Sequence, residues 1–212
     1  MVTALANGAE QILPVASIDD ALAAHAQHPD ALLCGERDGL RITAAQAKGT
    51  DFHLGNSPRE YTAEIVTGKT LISTTTNGTR ALRACANAKQ TLIASFLNLT
   101  ATANYLRAAA PENLTLVCAG THEQAALEDT LAAGALAGAL GDDVVEMDDA
   151  TLAARLLFAS APIEKTLPQA TNARRLLAIR ELAADVDFCL QRETNPLVAV
   201  MDSEGWVRRL AD

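Results

Sequence analysis

This 212-residue chain is short of positive charge relative to negative, and of aromatic rings. Its 17 Lys and Arg stand against 26 Asp and Glu, a formal net charge of −9. Nucleic acid and anionic membrane surfaces need a basic face on their partner, so this balance argues against both. It leaves open a small anion gripped locally by a few arginines, helix N-termini or a divalent cation. Aromatics make up only 3% of residues while 49% are hydrophobic, so the core must be knit from small side chains in close backbone contact. Four cysteines, Cys34, Cys85, Cys118 and Cys189, lie far apart with no CxxC pair, the pattern of reduced thiols in a cytoplasmic protein. No apolar run reaches the ~18 residues of a membrane-spanning helix. The opening "MVTALANGAE" lacks the basic and long apolar regions of a signal peptide. GxxxxGK[ST], GxGxxG and GxSxG are all missing, so the nucleotide-binding and α/β-hydrolase readings have no signature to rest on.

What is present is an alternation of strand-like and helix-like segments. "QILPVAS", "ALLCGER", "KTLIS", "QTLIASF" and "NLTLVCAG" read as strands. "SIDDALAAHAQ", "TRALRACANA", "TATANYLRAAA" and "HEQAALEDTLAAGALAGAL" read as helices between or after them. Ser17 is placed to cap the first of these, and Ser57, Pro58 and Glu60 spell a capping box at another helix start. "DVVEM" suggests a short strand, "DDATLAARLLFAS" and "NARRLLAIRELAADVDFCL" two further helices, and "LVAVMD–SEG–WVRRL" a terminal hairpin. The strands are continuous apolar runs, which predicts burial on both faces. The expectation is an α/β fold: a three-layer α/β/α arrangement with a largely parallel or mixed central sheet and a C-terminal hairpin, as one domain over residues 1–212.

In such folds ligands sit beyond the carboxyl ends of the strands. The turns expected there are "GERDG", "STTTNGT", "LNLTAT" and "AGTHEQ". "STTTNGT" concentrates hydroxyls, an amide and a glycine backbone at a strand-to-helix turn: Thr74, Thr75, Thr76, Asn77, Gly78 and Thr79, with Arg80 following. This chemistry suits a phosphate or sulfonate; it also suits plain helix capping. Glu36 and Arg37 end another strand, as metal ligand and anion clamp or as a simple ion pair. Gly120 belongs to the fourth turn. Glu128 and Asp129 lie side by side on a helix that is apolar nearly all round. Burying either carboxylate unpaired is costly, so a hard cation such as Mg²⁺, an arginine (Arg37, Arg80 or Arg83) or backbone donors should meet them. Gly134 and Gly138 read as points of close helix packing, and Cys118 as a core residue.

The blocks "GER-G", "LGNSP-EYT", "GKTLI-TTTNGTRAL", "SFLN" and "VCAGT…ALEDTLAAGAL", in this order and spacing, resemble the 2-phosphosulfolactate phosphatase (ComB) family. The resemblance implies a ComB-type α/β fold and Mg²⁺-dependent hydrolysis of 2-phosphosulfolactate, or a related 2-hydroxy acid phosphate, to sulfolactate and phosphate. In methanogens that step belongs to coenzyme M biosynthesis. Under this reading Glu128, Asp129 and Arg80 are catalytic, and Glu36, Glu128 and Asp129 bind the metal. Arg37, Asn56, Ser57, Thr74, Thr75, Thr76, Asn77, Gly78, Thr79 and Gly120 contact the substrate. Two departures from the family pattern are expected to matter. The strand segment "D-V-L-R-A-T" that precedes "TALANGA" in the family is not in this chain. "DFHLGNSP" also carries His53 where an aspartate is usual, with Asp51 displaced by two. A catalytically impaired or truncated relative acting as a small-anion binder is the alternative reading, and an enzyme for another phosphorylated hydroxy acid a third. A homodimer is expected from an open sheet edge and the Ala/Gly-rich helices.

Overall fold

The computed structural model describes residues 1–141 and 146–210. The chain divides into two compact units, Met1–Ile93 with Ala199–Asp212, and Ala94–Val198. Each is described by itself.

The first unit is built on a seven-stranded mixed sheet. Its strands are β1 (Gln11–Pro14), β2 (Leu32–Arg37), β3 (Leu40–Arg41), β4 (Thr70–Thr74), β5 (Thr91–Ile93), β6 (Ala199–Met201) and β7 (Val207–Arg209), in the order β3-β2-β4-β1-β7-β6-β5. β2, β4 and β1 run parallel, with Leu33 opposite Ile72 and Leu13 also opposite Ile72 on the other side. The terminal hairpin forms as expected, β6 antiparallel to β7 and β7 to β1. β2 turns back into β3 through Asp38 and Gly39, at φ 57° and 83°. That is the Asp-Gly pair favoured by a two-residue hairpin turn.

The helices of this unit are α1 (Val2–Ala6), α2 (Ile18–Gln27), α3 (Ala63–Val66) and α4 (Gly78–Ala84). Ser17 caps α2 as predicted, its hydroxyl accepting from the Asp20 N–H while Asp20 accepts from the Ser17 N–H. The helix expected from Pro58 is instead a single 3₁₀ turn, Pro58–Glu60, followed by the short α3. Glu60 accepts from the Gly55 N–H at 2.7 Å, so it closes the preceding loop rather than a capping box. Ala21, Ala31, Leu33, Ile42, Ala47, Phe52 and Ile72 make the core, three of the seven being alanine, as the shortage of aromatics requires.

In its described residues the second unit is helical: α5 (Leu99–Ala109), α6 (Leu127–Leu140), α7 (Asp149–Ser160), α8 (Ile163–Thr166), α9 (Thr171–Leu177) and α10 (Ala183–Leu190). Phe96, Leu131, Ala135, Ile163, Leu167, Ala170, Ala173 and Val186 form its core. Gly134 lets α6 approach α7: a Cβ there would lie 2.1 Å from the Ala154 carbonyl oxygen. Gly138 has open space about it and plays no such part. The strand expected over "NLTLVCAG" does not form. Residues 113–120 carry no ladder partner, and Leu114, Val117 and Cys118 are exposed, so Cys118 is not a core residue. The single long helix expected from Asn172 to Leu190 breaks into α9 and α10. The strand expected at 143–147 falls mainly on residues 142–145, outside the described ones.

Candidate functional site

Two clusters hold the residues singled out above, one in each unit. In the first unit Glu36, Arg37 and the "TTTNGT" turn gather at the carboxyl ends of the neighbouring parallel strands β2 and β4. Gly35 makes this possible: its Cα faces Thr74 across the ladder, and a Cβ would lie 2.2 Å from the Thr74 carbonyl oxygen. Beyond this tight point Arg37 turns back, Nη1 donating to its neighbour's Glu36 carbonyl at 2.6 Å and Nη2 to Thr74 Oγ1 at 3.2 Å. The Glu36 side chain is buried beneath the threonine loop, its Oε1 accepting from the Thr76 N–H and Oε2 from the Gly39 N–H, both at 2.8 Å. Glu36 therefore ties the "TTTNGT" turn to the β2–β3 turn. Two backbone donors meet a charged acceptor there, a stronger arrangement than neutral hydrogen bonds give.

The loop is laced further by Thr75 and Thr79. The Thr79 N–H donates to Thr75 Oγ1 at 3.1 Å, and the Thr75 N–H donates to Thr79 Oγ1 at 3.0 Å. Much of its hydroxyl chemistry is thus spent on capping α4. The exception is Thr76 Oγ1, which is buried and makes no hydrogen bond among the described residues. Arg80 and Asn56 are exposed, and Ser57 is buried. His53 is also fixed: Nδ1 accepts from the Leu33 N–H at 3.0 Å, completing the edge of β2. A cavity of about 380 Å³ lined by Glu10, His28, Asp30 and Lys69 lies at the amino ends of β1, β2 and β4, the opposite end from this cluster.

The four expected turns are divided between the two units. Those after β2 and β4 meet. β5, counted across β6 and β7, runs against the parallel trio, and "LNLTAT" belongs to the second unit. "AGTHEQ" follows the unpaired segment in the second unit.

There the site is built around the first turn of α6, where Glu128 and Asp129 follow Leu127. Adjacent helical positions diverge by ~100°, and the two carboxylates take different partners. Asp129 Oδ2 accepts from the Gly120 N–H at 2.7 Å, and Glu128 Oε1 accepts from Asn172 Nδ2 at 2.5 Å. Asn172 Nδ2 also donates to Thr121 Oγ1 at 2.6 Å. Both acidic residues therefore flank one loop, 119–124, which closes as a tight turn with Thr121 and Gln124 exchanging backbone hydrogen bonds. His122 and Glu123, at its centre, have φ of 48° and 63°. Left-handed backbone at a non-glycine residue costs about 1–2 kcal/mol, so this turn is held against its preference. Burial lifts the Asp129 carboxyl above its ordinary range and the Glu128 charge adds to this, while the Gly120 and Ala119 N–H groups pull it back. Among the described residues no group of three or more His, Cys, Asp or Glu side chains converges as a ready metal cage. Glu128 and Asp129 are the carboxylates that could hold a hard cation such as Mg²⁺, which keeps several waters and needs only one or two carboxylates. Asn172 escaped the sequence reading; its one signal is an amide beside Thr171 at the start of α9.

The profile of a family described as 2-phosphosulpholactate phosphatase matches residues 1–204. The chain belongs to this family. It is a family of phosphoric monoester hydrolases by name. Among the family's relatives, a "Probable 2-phosphosulfolactate phosphatase" of Thermotoga maritima is 39% identical over 191 residues, covering 89% of this chain and 78% of the relative. Proteins of the same name are 38% identical in Symbiobacterium thermophilum, over 97% of this chain and 86% of theirs. In Caldanaerobacter subterraneus the figure is 36%, over 100% and 86%. No helix among the described residues is long and apolar enough to cross a membrane.

Proposed function

We propose that this chain hydrolyses 2-phosphosulfolactate to sulfolactate and phosphate with Mg²⁺ as cofactor. The observation that carries the reading is the family match over residues 1–204. It is supported by relatives 39% and 38% identical that bear the phosphatase name. Hydrolysis joins a water oxygen to phosphorus, breaks the ester P–O bond and returns a proton to the leaving alkoxide. Glu128 and Asp129 are the residues that would hold the cation; bound there, it would neutralise charge on the phosphoryl oxygens as a Lewis acid. Both carboxylates are half-buried in the first turn of α6, where Asp129 and Glu128 each have one oxygen held by a hydrogen bond. In the first unit, Thr76 Oγ1, Arg37 and Arg80 are the candidates to bind and orient anionic groups, and Asn56 and Ser57 are further candidates from the "LGNSP" block. Glu36 acts there through the loop it ties rather than through direct contact. A cytoplasmic homodimer belongs to the same reading, supported by four unpaired thiols and by edge strands β3 and β5, which have one neighbour each.

A substrate panel tests the assignment. The full chain should release phosphate from 2-phosphosulfolactate faster than from phospholactate, which lacks the sulfonate. Equal rates would move the assignment to a general hydroxy acid phosphatase. Saturable binding of both compounds with no phosphate released would establish the small-anion binder instead.

A further inference from the structure

We propose that Asn172 is the positioning residue of the second unit's acidic site, holding the Glu128 carboxylate and the Thr121 hydroxyl in fixed directions with the two hydrogens of one amide. The proposal rests on the reading of Glu128 and Asp129 as the cation site. Asn172 lies 44 residues from Glu128 and 51 from Thr121 in the chain, yet its Nδ2 reaches Glu128 Oε1 at 2.5 Å and Thr121 Oγ1 at 2.6 Å. The assignment of nitrogen to that position follows from chemistry, since an ionised carboxylate can only accept. An amide NH₂ carries its two hydrogens in a rigid planar fork, so satisfying both partners fixes the angle between them.

Two consequences follow. Glu128 has Oε1 engaged and Oε2 left to face a cation, which removes the rotational freedom of a long carboxylate. Thr121 Oγ1, having accepted from Asn172, is left with its own O–H to donate outward. The same residue opens the strained turn at His122 and Glu123, while the Gly120 N–H beside it is spent on Asp129. Gly120 itself is at φ 68°, and a Cβ there would lie 2.6 Å from the Gln124 carbonyl oxygen, so the loop has little room to rearrange. Asn172 thus joins three segments, the start of α9, the start of α6 and the turn between residues 121 and 124. Groups that orient a ligand from behind typically change affinity or rate ~10–100-fold when removed.

The test compares wild type with Asn172→Ala and Asn172→Gln, the latter keeping an NH₂ fork on a longer arm. Two readouts are taken: Mn²⁺ affinity by electron paramagnetic resonance without substrate, and steady-state phosphate release with Mg²⁺. Asn172→Ala should weaken Mn²⁺ binding ~10-fold and lower kcat ~10–100-fold, with KM within about threefold. Asn172→Gln should recover part of both. Mn²⁺ affinity within twofold of wild type in Asn172→Ala overturns the proposal, whatever happens to turnover. So does a loss in Asn172→Ala that tracks a loss of secondary structure and that Asn172→Gln fails to relieve. If wild type binds Mn²⁺ but releases no phosphate, the phosphatase reading fails while the Mn²⁺ comparison still decides the role of Asn172. If wild type binds no Mn²⁺, the role assigned to Asn172 fails as well.

Discussion

Cys34 has none of its surface exposed, and burial pushes its thiol up from 9.0 to about 12 beside the Tyr61 phenol, which burial raises well above 10.0. Both groups keep their protons in the folded chain where the unfolded chain has lost them. Their contribution to stability is complete below pH 9; Cys34 loses about 1.4 kcal/mol per pH unit as pH climbs from 9.0 towards 12, and Tyr61 adds the same slope only above 10.0. Urea unfolding at pH 8, 9, 10 and 11 should show this fall. Cys34→Ala should remove one proton's share of the slope, and an unchanged slope would show the thiol is not withheld from water. Glu36 invites a second substitution. Glu36→Gln keeps one acceptor but turns an NH₂ towards the Thr76 or Gly39 N–H. The expected loss is about 1–3 kcal/mol by urea titration, from one broken charge-assisted bond and one donor facing a donor. Neither role could be read from the chain alone. Glu36 was visible as a carboxylate at a strand's end, but that its two oxygens are met by N–H groups 3 and 40 residues away is a matter of tertiary geometry.

At the scale of elements, α6 and α7 meet through the missing side chain of Gly134, set against the Ala154 backbone. A methyl group has nowhere to go, so Gly134→Ala should cost about 1–3 kcal/mol by overpacking. Gly138→Ala, four residues on in open space, should be neutral or slightly stabilising, because alanine is the better helix former by about 1 kcal/mol. Equal effects at the two sites would mean the helices are not packed this way. Elements with a strong local signal were legible: Ser17 as an N-cap marked the start of α2, and continuous apolar runs marked β1, β2 and β4. "NLTLVCAG" has the same apolar run yet forms no strand, because a strand needs a neighbour and run length says nothing of partners. The direction of β5 was hidden for the same reason. It is set by the hairpin of β6 and β7, which inserts beside β1 from the far end of the chain.

For the molecule as a whole, the polar blocks carried the family and the pattern of alternation carried the α/β class, while the partition of the site residues did not show in either. Residue types can nominate Glu36, Glu128 and Asp129 together; the fold gives Glu36 two backbone donors in one unit and gives Glu128 an amide clamp in the other. The central claim is a cation-dependent phosphate ester hydrolysis in which Glu128 and Asp129 take the cation, and an Mg²⁺ titration of phosphate release tests it most directly. Full-length protein, stripped with EDTA and supplied with 2-phosphosulfolactate, should be inert. It should regain turnover saturably as Mg²⁺ is added, and Asp129→Asn should need at least ~10-fold more Mg²⁺ for half-maximal rate. Undiminished phosphate release in EDTA, or an Asp129→Asn titration that overlays the wild type, would contradict it.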